Sequence, residues 1–210
     1  MLFFKDRKDA GDKLSAALAD FKDDNSIVLG LTNGGLKVGY ETAKKLNCDF
    51  YPIIVRKLSM PNNPYHAFGA ITEDGSFYIR DQFRNIDPVT QKKIYNAELY
   101  ETNLWARRLR QRHTFPKLEN KTVVLIDDGI DTGAKMTVAI KLCKGKNASK
   151  LIVAAPIARQ EVKIAIQHMV DHVIILSIPP HFKTFAQVYE DWQEMSDKDV
   201  LIFLDFLISN

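Results

Sequence analysis

Residues 123–136 read V-V-L-I-D-D-G-I-D-T-G-A-K-M, and the reading of this stretch decides the architecture. A β-branched apolar run, suited to a buried strand, stops at two adjacent carboxylates, Asp127 and Asp128. A glycine-bearing loop follows, and then an amphipathic helix. Such a strand–loop–helix unit turns backbone N–H groups and a helix N-terminus toward an anion, with carboxylates alongside to accept hydroxyl hydrogens. Two neighbouring carboxylates repel unless something cationic or hydroxylic lies between them. The combination suits a sugar phosphate, with the loop on the phosphate and the acids on the ribose diol.

Outward from this unit the same alternation recurs. Residues 26–31 read as a short buried strand and 34–46 as a helix, joined by Leu31-Thr32-Asn33-Gly34-Gly35. Small residues there either offer successive amides to a polyanion or relieve crowding in a tight turn. Residues 49–56 read as a second parallel strand, 151–157 and 172–177 as further strands, and 9–21, 134–143 and 161–169 as helices. Glu73-Asp74-Gly75 is a turn signal that predicts a hairpin from 67–72 and 76–80. Residues 88–112 predict a long helix with Ile94, Ala97, Leu104, Trp105 and Leu109 inward. Ser196, with Asp199 three positions on, predicts the cap of a last helix.

Strands alternating with helices at these lengths predict an α/β fold, an open and mostly parallel twisted sheet flanked by helices. Ligands collect at the carboxyl ends of strands in such sheets, which is where both glycine loops fall. The hairpin and long helix interrupt the alternation and are expected to form a flap, with residues 65–84 as the lid. A chain of 210 residues fits a single domain, 1–210, with its core over 24–178 and the flap over 60–118.

The net charge of +3 is too small to point to nucleic acid or a membrane surface. The charged opening segment, residues 1–12, is unlike a secretion signal, and no apolar run approaches the roughly 18–20 residues that span a bilayer. Cys48 and Cys143 lack metal-ligand spacing and read as reduced thiols of a cytoplasmic protein. Rival readings of the acid pair fail on position. The chain has neither G-x-x-x-x-G-K-[ST] nor a G-x-G-x-x-G after its first strand. Asp128 and Asp131 stand one residue too far apart for the D-x-D of dehalogenase-type phosphatases. A receiver domain has its acids near its own start, not after a run of other elements.

The 123–136 stretch resembles the phosphoribosyl-pyrophosphate (PRPP) signature of type I phosphoribosyltransferases, an apolar strand, two acids and a D-T-G-x-T-M-like loop. The resemblance extends to a bacterial branch of phosphoribosyltransferase-domain proteins. It takes in F-F-K-D-R-K-D-A-G at 3–11, V-R-K-L at 55–58, Asn63-Pro64 with Gly69-Ala70-Ile71, and Y-E-D-W at 189–192. It implies a hood from residues 1–22 and 179–210 over the sheet, PRPP and a nucleobase-like acceptor as substrates, and a homodimer. Asp127 and Asp128 would take the ribose hydroxyls and hold Mg²⁺, in part through water. The backbone of Asp131, Thr132, Gly133, Ala134, Lys135 and Met136, with the Thr132 hydroxyl, would cradle the 5′-phosphate. Thr32, Asn33, Gly34 and Gly35 would face the pyrophosphate, in a loop that in this family often holds a non-proline cis peptide, with Arg56 or Lys57 neutralising it. Asp131 would be the proton-transfer group, and Arg159 would contact the base.

Three positions depart from the pattern. Asn33 stands where the family has a basic residue, Lys135 where it has threonine, and Tyr65 where relatives often have an acid. A lysine can replace a hydroxyl contact with a point charge, whereas asparagine cannot replace a cation; Lys37 and Lys57 are available to compensate. Two functions therefore stand side by side. One is an enzyme that displaces pyrophosphate from PRPP with a nitrogen nucleophile. The other, favoured by Asn33, is a PRPP- or nucleotide-binding regulatory protein. Secondary candidates are Arg107, Arg108, Arg110 and Arg112 as an anion-attracting rim or a solvated face. Phe182, Phe185, Tyr189 and Trp192 could stack on a base or form plain core, and His66 lies near the flap.

Overall fold

Strands with apolar residues on both faces organise the chain around one central sheet. In the computed structural model, five parallel strands lie in the order β2 (Asp49–Ile53), β1 (Ser26–Leu31), β6 (Thr122–Ile126), β7 (Lys150–Ile157) and β8 (His172–Ser177). The structure describes residues 2–23, 25–60, 63–110, 114–181 and 183–209, with the backbone alone for 63–66. The side chains of Tyr65 and His66, and the whole of Arg112 and Phe182, lie outside the described residues.

Alternate strand residues face opposite ways. Ile27, Leu29, Leu31, Val123 and Leu125 pack on α4 (Ala134–Gly145), while Val28, Val124, Ile126, Ile152 and Ala154 pack on α1 (Arg7–Leu18) and α2 (Gly35–Leu46). The fold is thus the α/β arrangement that the alternation predicts. α5 (Gln160–Gln167) lies against β8, with Ile166 reaching the core. Among the described residues no helix is long and apolar enough to cross a membrane. Cys48 and Cys143 are both free thiols, and burial pushes Cys143 up to about 12.

The expected strand over 49–56 breaks at Ile54. β2 ends at Ile53 in the parallel sheet, and β3 (Val55–Met60) opens a second, antiparallel sheet with β4 (Asn63–Thr72) and β5 (Phe77–Ile79). The break has a local cause, because Glu73 takes over the backbone of Ile54. Its carboxylate accepts from Ile54 N at 3.1 Å, and its own N–H donates to Ile54 O at 3.2 Å. The expected hairpin is present around Gly75, which takes φ +83. It is built into the fold: Phe68, Ala70 and Ile71 are fully buried, and Ala70 reaches the central core through α4.

α3 (Pro88–Arg110) buries Ile94, Thr102, Trp105, Ala106 and Leu109. Ala97 and Leu104, expected inward, are exposed, because they fall off the stripe that runs through 94, 102, 105 and 109. Arg110 grips Glu73 with two bonds of 2.7 Å, and Arg108 pairs with Asp205 on α6 (Asp197–Ser209). These two arginines of the crowded run are therefore fastened within the fold. Ser196 and Asp199 cap α6 reciprocally, as the sequence predicts. The segment beside Phe4 closes the structure: Phe4 N donates to Val188 O at 2.7 Å and Glu190 N to Phe4 O at 2.9 Å.

Candidate active site

β1 and β6 are neighbours in register, Gly30 opposite Ile126, so the loops that leave their carboxyl ends must meet. They meet closely. A Cβ on Gly34 would lie 1.6 Å from Asp128 Oδ2, and one on Gly35 would lie 2.6 Å from Ile126 O. Only glycine permits this approach, so crowding between the loops is itself a reason for Gly34-Gly35. The Thr32–Asn33 peptide is cis. The Thr32 hydroxyl donates to Val55 O at 2.6 Å and accepts from Val55 N at 2.9 Å, which pins the loop to β3.

Asp127 and Asp128 are 2% and 6% exposed, and their repulsion is answered by two cations from the chain itself. Lys135 Nζ lies 2.8 and 3.1 Å from the Asp127 carboxylate oxygens and donates to Thr32 O at 2.7 Å. Arg7 Nε donates to Asp128 Oδ2 at 2.8 Å, while its Nη1 donates to Gln193 O at 2.8 Å and its guanidinium lies 4.3 Å over Trp192. Burial raises the Asp127 carboxyl to about 7; Lys135 opposes the rise and Asp128 adds to it.

Residues 185–195 lie over this pair. The Tyr189 hydroxyl donates to Asp128 O at 2.9 Å, and burial, reinforced by Asp128, pushes that phenol well up. Phe185, Tyr189 and Trp192 gather with ring centroids 5.0 to 5.2 Å apart. Gly129 passes so close beneath that a Cβ there would meet Phe185 at 2.4 Å. Asn33 turns toward this segment and donates to Met195 O at 2.8 Å.

The loop after the acids ends at Gly133, with φ +74, and Thr137 N donates to Gly133 O at 2.8 Å as α4 starts. Ala134 and Met136 are buried, so only their backbone is available to a ligand, whereas Asp131 and Thr132 are half-buried. Lys135 is drawn to the acid pair rather than held over this loop. Asp131 pairs with Arg159, which brings those two candidates together. Arg159 also borders a cavity of about 410 Å³ with Glu161, Pro179 and His181. A groove of about 490 Å³ against α2 and α6 contains none of the loop residues.

Arg56 is held by acids of α3 and α6. It bonds Glu98 at 2.6 Å and Asp197 at 3.0 Å, with its guanidinium 4.5 Å over Trp105. Lys57, on the opposite strand face, is exposed. Sequence reasoning gave no role to Arg7 or to the Tyr189 hydroxyl. Both lie in segments that carry the resemblance, D-R-K-D-A-G and Y-E-D-W, which was the available signal.

Mg²⁺ at the acid pair can be tested against this geometry. Lys135 and Arg7 already contact the two carboxylates, and an ion held directly by both acids would compete with them. Among the described residues no three His, Cys, Asp or Glu side chains are grouped as metal ligands. The pair as placed, with a cation on each carboxylate, does not favour an ion held by the protein's own side chains alone.

Residues 5–192 match the family model described as "Phosphoribosyl transferase domain". The chain belongs to that family. A Mycobacterium tuberculosis protein named "Putative phosphoribosyl transferase Rv0571c" is 34% identical to this phosphoribosyl transferase domain over 208 residues, 98% of the chain. The chain spans 47% of that relative's length. The crystal structure of TT1426 from Thermus thermophilus superposes with a TM-score of 0.78 at 31% identity, covering 97% of this chain and 98% of that one. A short match, 49% identical over 41 residues, covers 20% of the chain and 21% of the "Transcriptional regulator GfcR" of Methanosphaera stadtmanae.

Proposed function

We propose that this domain transfers the 5-phosphoribosyl group of PRPP to a nitrogenous acceptor, a nucleobase, with release of pyrophosphate. The observation that carries the reading is the 2.7 Å bond from Lys135 Nζ to Thr32 O, which joins the loop suited to a pyrophosphate to the acids suited to a ribose diol. In this reading Asp127 and Asp128 accept the ribose 2′- and 3′-hydroxyl hydrogens. The backbone of 131–136, with the Thr132 hydroxyl, takes the 5′-phosphate at the start of α4, where helix N–H groups favour an anion. Residues 32–35 and the exposed Lys57 face the pyrophosphate.

The C1–O bond breaks with its electron pair leaving on pyrophosphate, and the nitrogen lone pair closes on C1. The proton lost by that nitrogen passes to Asp131, beside Arg159 and the cavity suited to the acceptor. Positioning and charge stabilisation supply the rate. The reading assigns no step to Mg²⁺. It takes the protein to be a cytoplasmic homodimer without nucleic-acid or membrane partners.

Incubating the protein with PRPP and a panel of purine and pyrimidine bases, and following pyrophosphate, tests this directly. Release with at least one base is the expected result. Tight PRPP binding with no pyrophosphate from any base would select a PRPP-responsive regulatory protein instead. Asn33 favours that second reading, since it stands where a cation is expected and spends its amide on Met195 O. So does the short match to a protein named as a transcriptional regulator.

A further inference from the structure

We infer that the Lys135 ammonium takes the place of a divalent cation at the acid pair, so that the chain binds its pyrophosphorylated sugar without one. The inference rests on the PRPP reading above and deepens it. Three oxygens converge on Lys135 Nζ: Thr32 O at 2.7 Å and the Asp127 oxygens at 2.8 and 3.1 Å. A carbonyl and a carboxylate oxygen on one point are the donor set of a hard-cation site. Here the cation is tethered to α4 by its own side chain. It sits on the seam between the loop suited to pyrophosphate and the acids suited to the ribose diol, where a bridging charge acts on both.

Asn33 and Lys135 meet at one peptide. Residues 32–35 carry no charge of their own, and Lys135 supplies one against the carbonyl of the peptide that joins Thr32 to Asn33. A threonine at 135 would carry no charge. Each acid already has a cation from the chain, Lys135 on Asp127 and Arg7 on Asp128. A divalent ion held directly by Asp127 would have to compete with the ammonium already there. Lys135 keeps 18% of its side chain exposed at this seam.

The experiment is calorimetric titration of PRPP into the full chain in EDTA and again with excess Mg²⁺, for the wild type, Lys135→Thr and Lys135→Gln. Circular dichroism melts establish that each variant is folded. The wild-type Kd is expected to differ by less than about threefold between the two conditions. Lys135→Thr should bind at least about tenfold more weakly in EDTA and recover most of the loss with Mg²⁺. Lys135→Gln, which keeps a donor but no charge, should follow Lys135→Thr. Wild-type binding only with Mg²⁺, or either variant binding like wild type in EDTA, overturns the inference and leaves the PRPP reading standing. Wild-type protein that binds PRPP in neither condition overturns the PRPP reading, and the inference with it.

Discussion

Arg7 Nε and Asp128 Oδ2 form a 2.8 Å ion pair whose side chains are only 10% and 9% exposed. A charge left alone in such a place has no solvent to fall back on. Arg7→Ala should therefore destabilise the fold by about 3–5 kcal/mol in urea unfolding. Adding Asp128→Asn should cost less than the sum of the single changes, because the orphaned charge is then gone. A loss below about 1 kcal/mol for Arg7→Ala would place the pair among weak surface bridges and contradict its burial.

The raised carboxyl of Asp127 makes a pH prediction with a definite sign. The folded state holds that proton more tightly than the unfolded chain does. Its stabilising contribution is complete below the ordinary value of 3.8 and is lost as pH rises through about 7. The unfolding free energy from urea titrations should fall between about pH 4 and pH 7, by on the order of a few kcal/mol at most. Asp9, Asp23 and Asp74, held below their ordinary value, act in the opposite sense but titrate beneath this window. Asp127→Asn should flatten the slope. An equally steep slope in that variant would assign the pH dependence elsewhere.

Gly34 and Gly145 give a matched pair of substitutions. A methyl group on Gly34 would meet Asp128 Oδ2 at 1.6 Å and Arg7 Nε at 2.7 Å, so Gly34→Ala must push the two loops apart. The expected cost is about 2 kcal/mol or more in thermal unfolding, with ligand binding lost alongside. Gly145, at the end of α4, has nothing within 4 Å of the same added carbon. Gly145→Ala should stabilise by about 0.5 kcal/mol through backbone entropy alone.

Asp128→Asn tests the proposed chemistry. It removes the charge that faces the ribose in the PRPP reading while keeping the size of the side chain. Pyrophosphate release should drop at least about a hundredfold while the far-ultraviolet dichroism stays native. Undiminished turnover would refute the assignment of the acid pair.

The parallel sheet was legible because residues such as those of 123–126 carry their burial in their composition, and because Asp127 and Asp128 mark where that run ends. Local capping was legible too, as at Ser196 and Asp199. The break at Ile54 was not, since its cause is Glu73, a residue from the following hairpin that reaches back to the Ile54 backbone. Neither was Arg56, whose charge is met by Glu98 and Asp197 from two distant helices. Sequence spacing places the acids at the sheet edge, but the cations that answer them come from α1 and from the first turn of α4. Pairings of that kind depend on tertiary approach, which local periodicity does not encode.

The backbone bonds between Phe4 and residues 188–190 join segments from opposite ends of the domain. During synthesis the strands that carry the carboxylates leave the ribosome before the covering segment does. Contacts spanning so much chain form late because they require the largest loop closure. Arg7 and Lys135 both precede the covering segment in the chain, so the cover closes over acids that already have their cations.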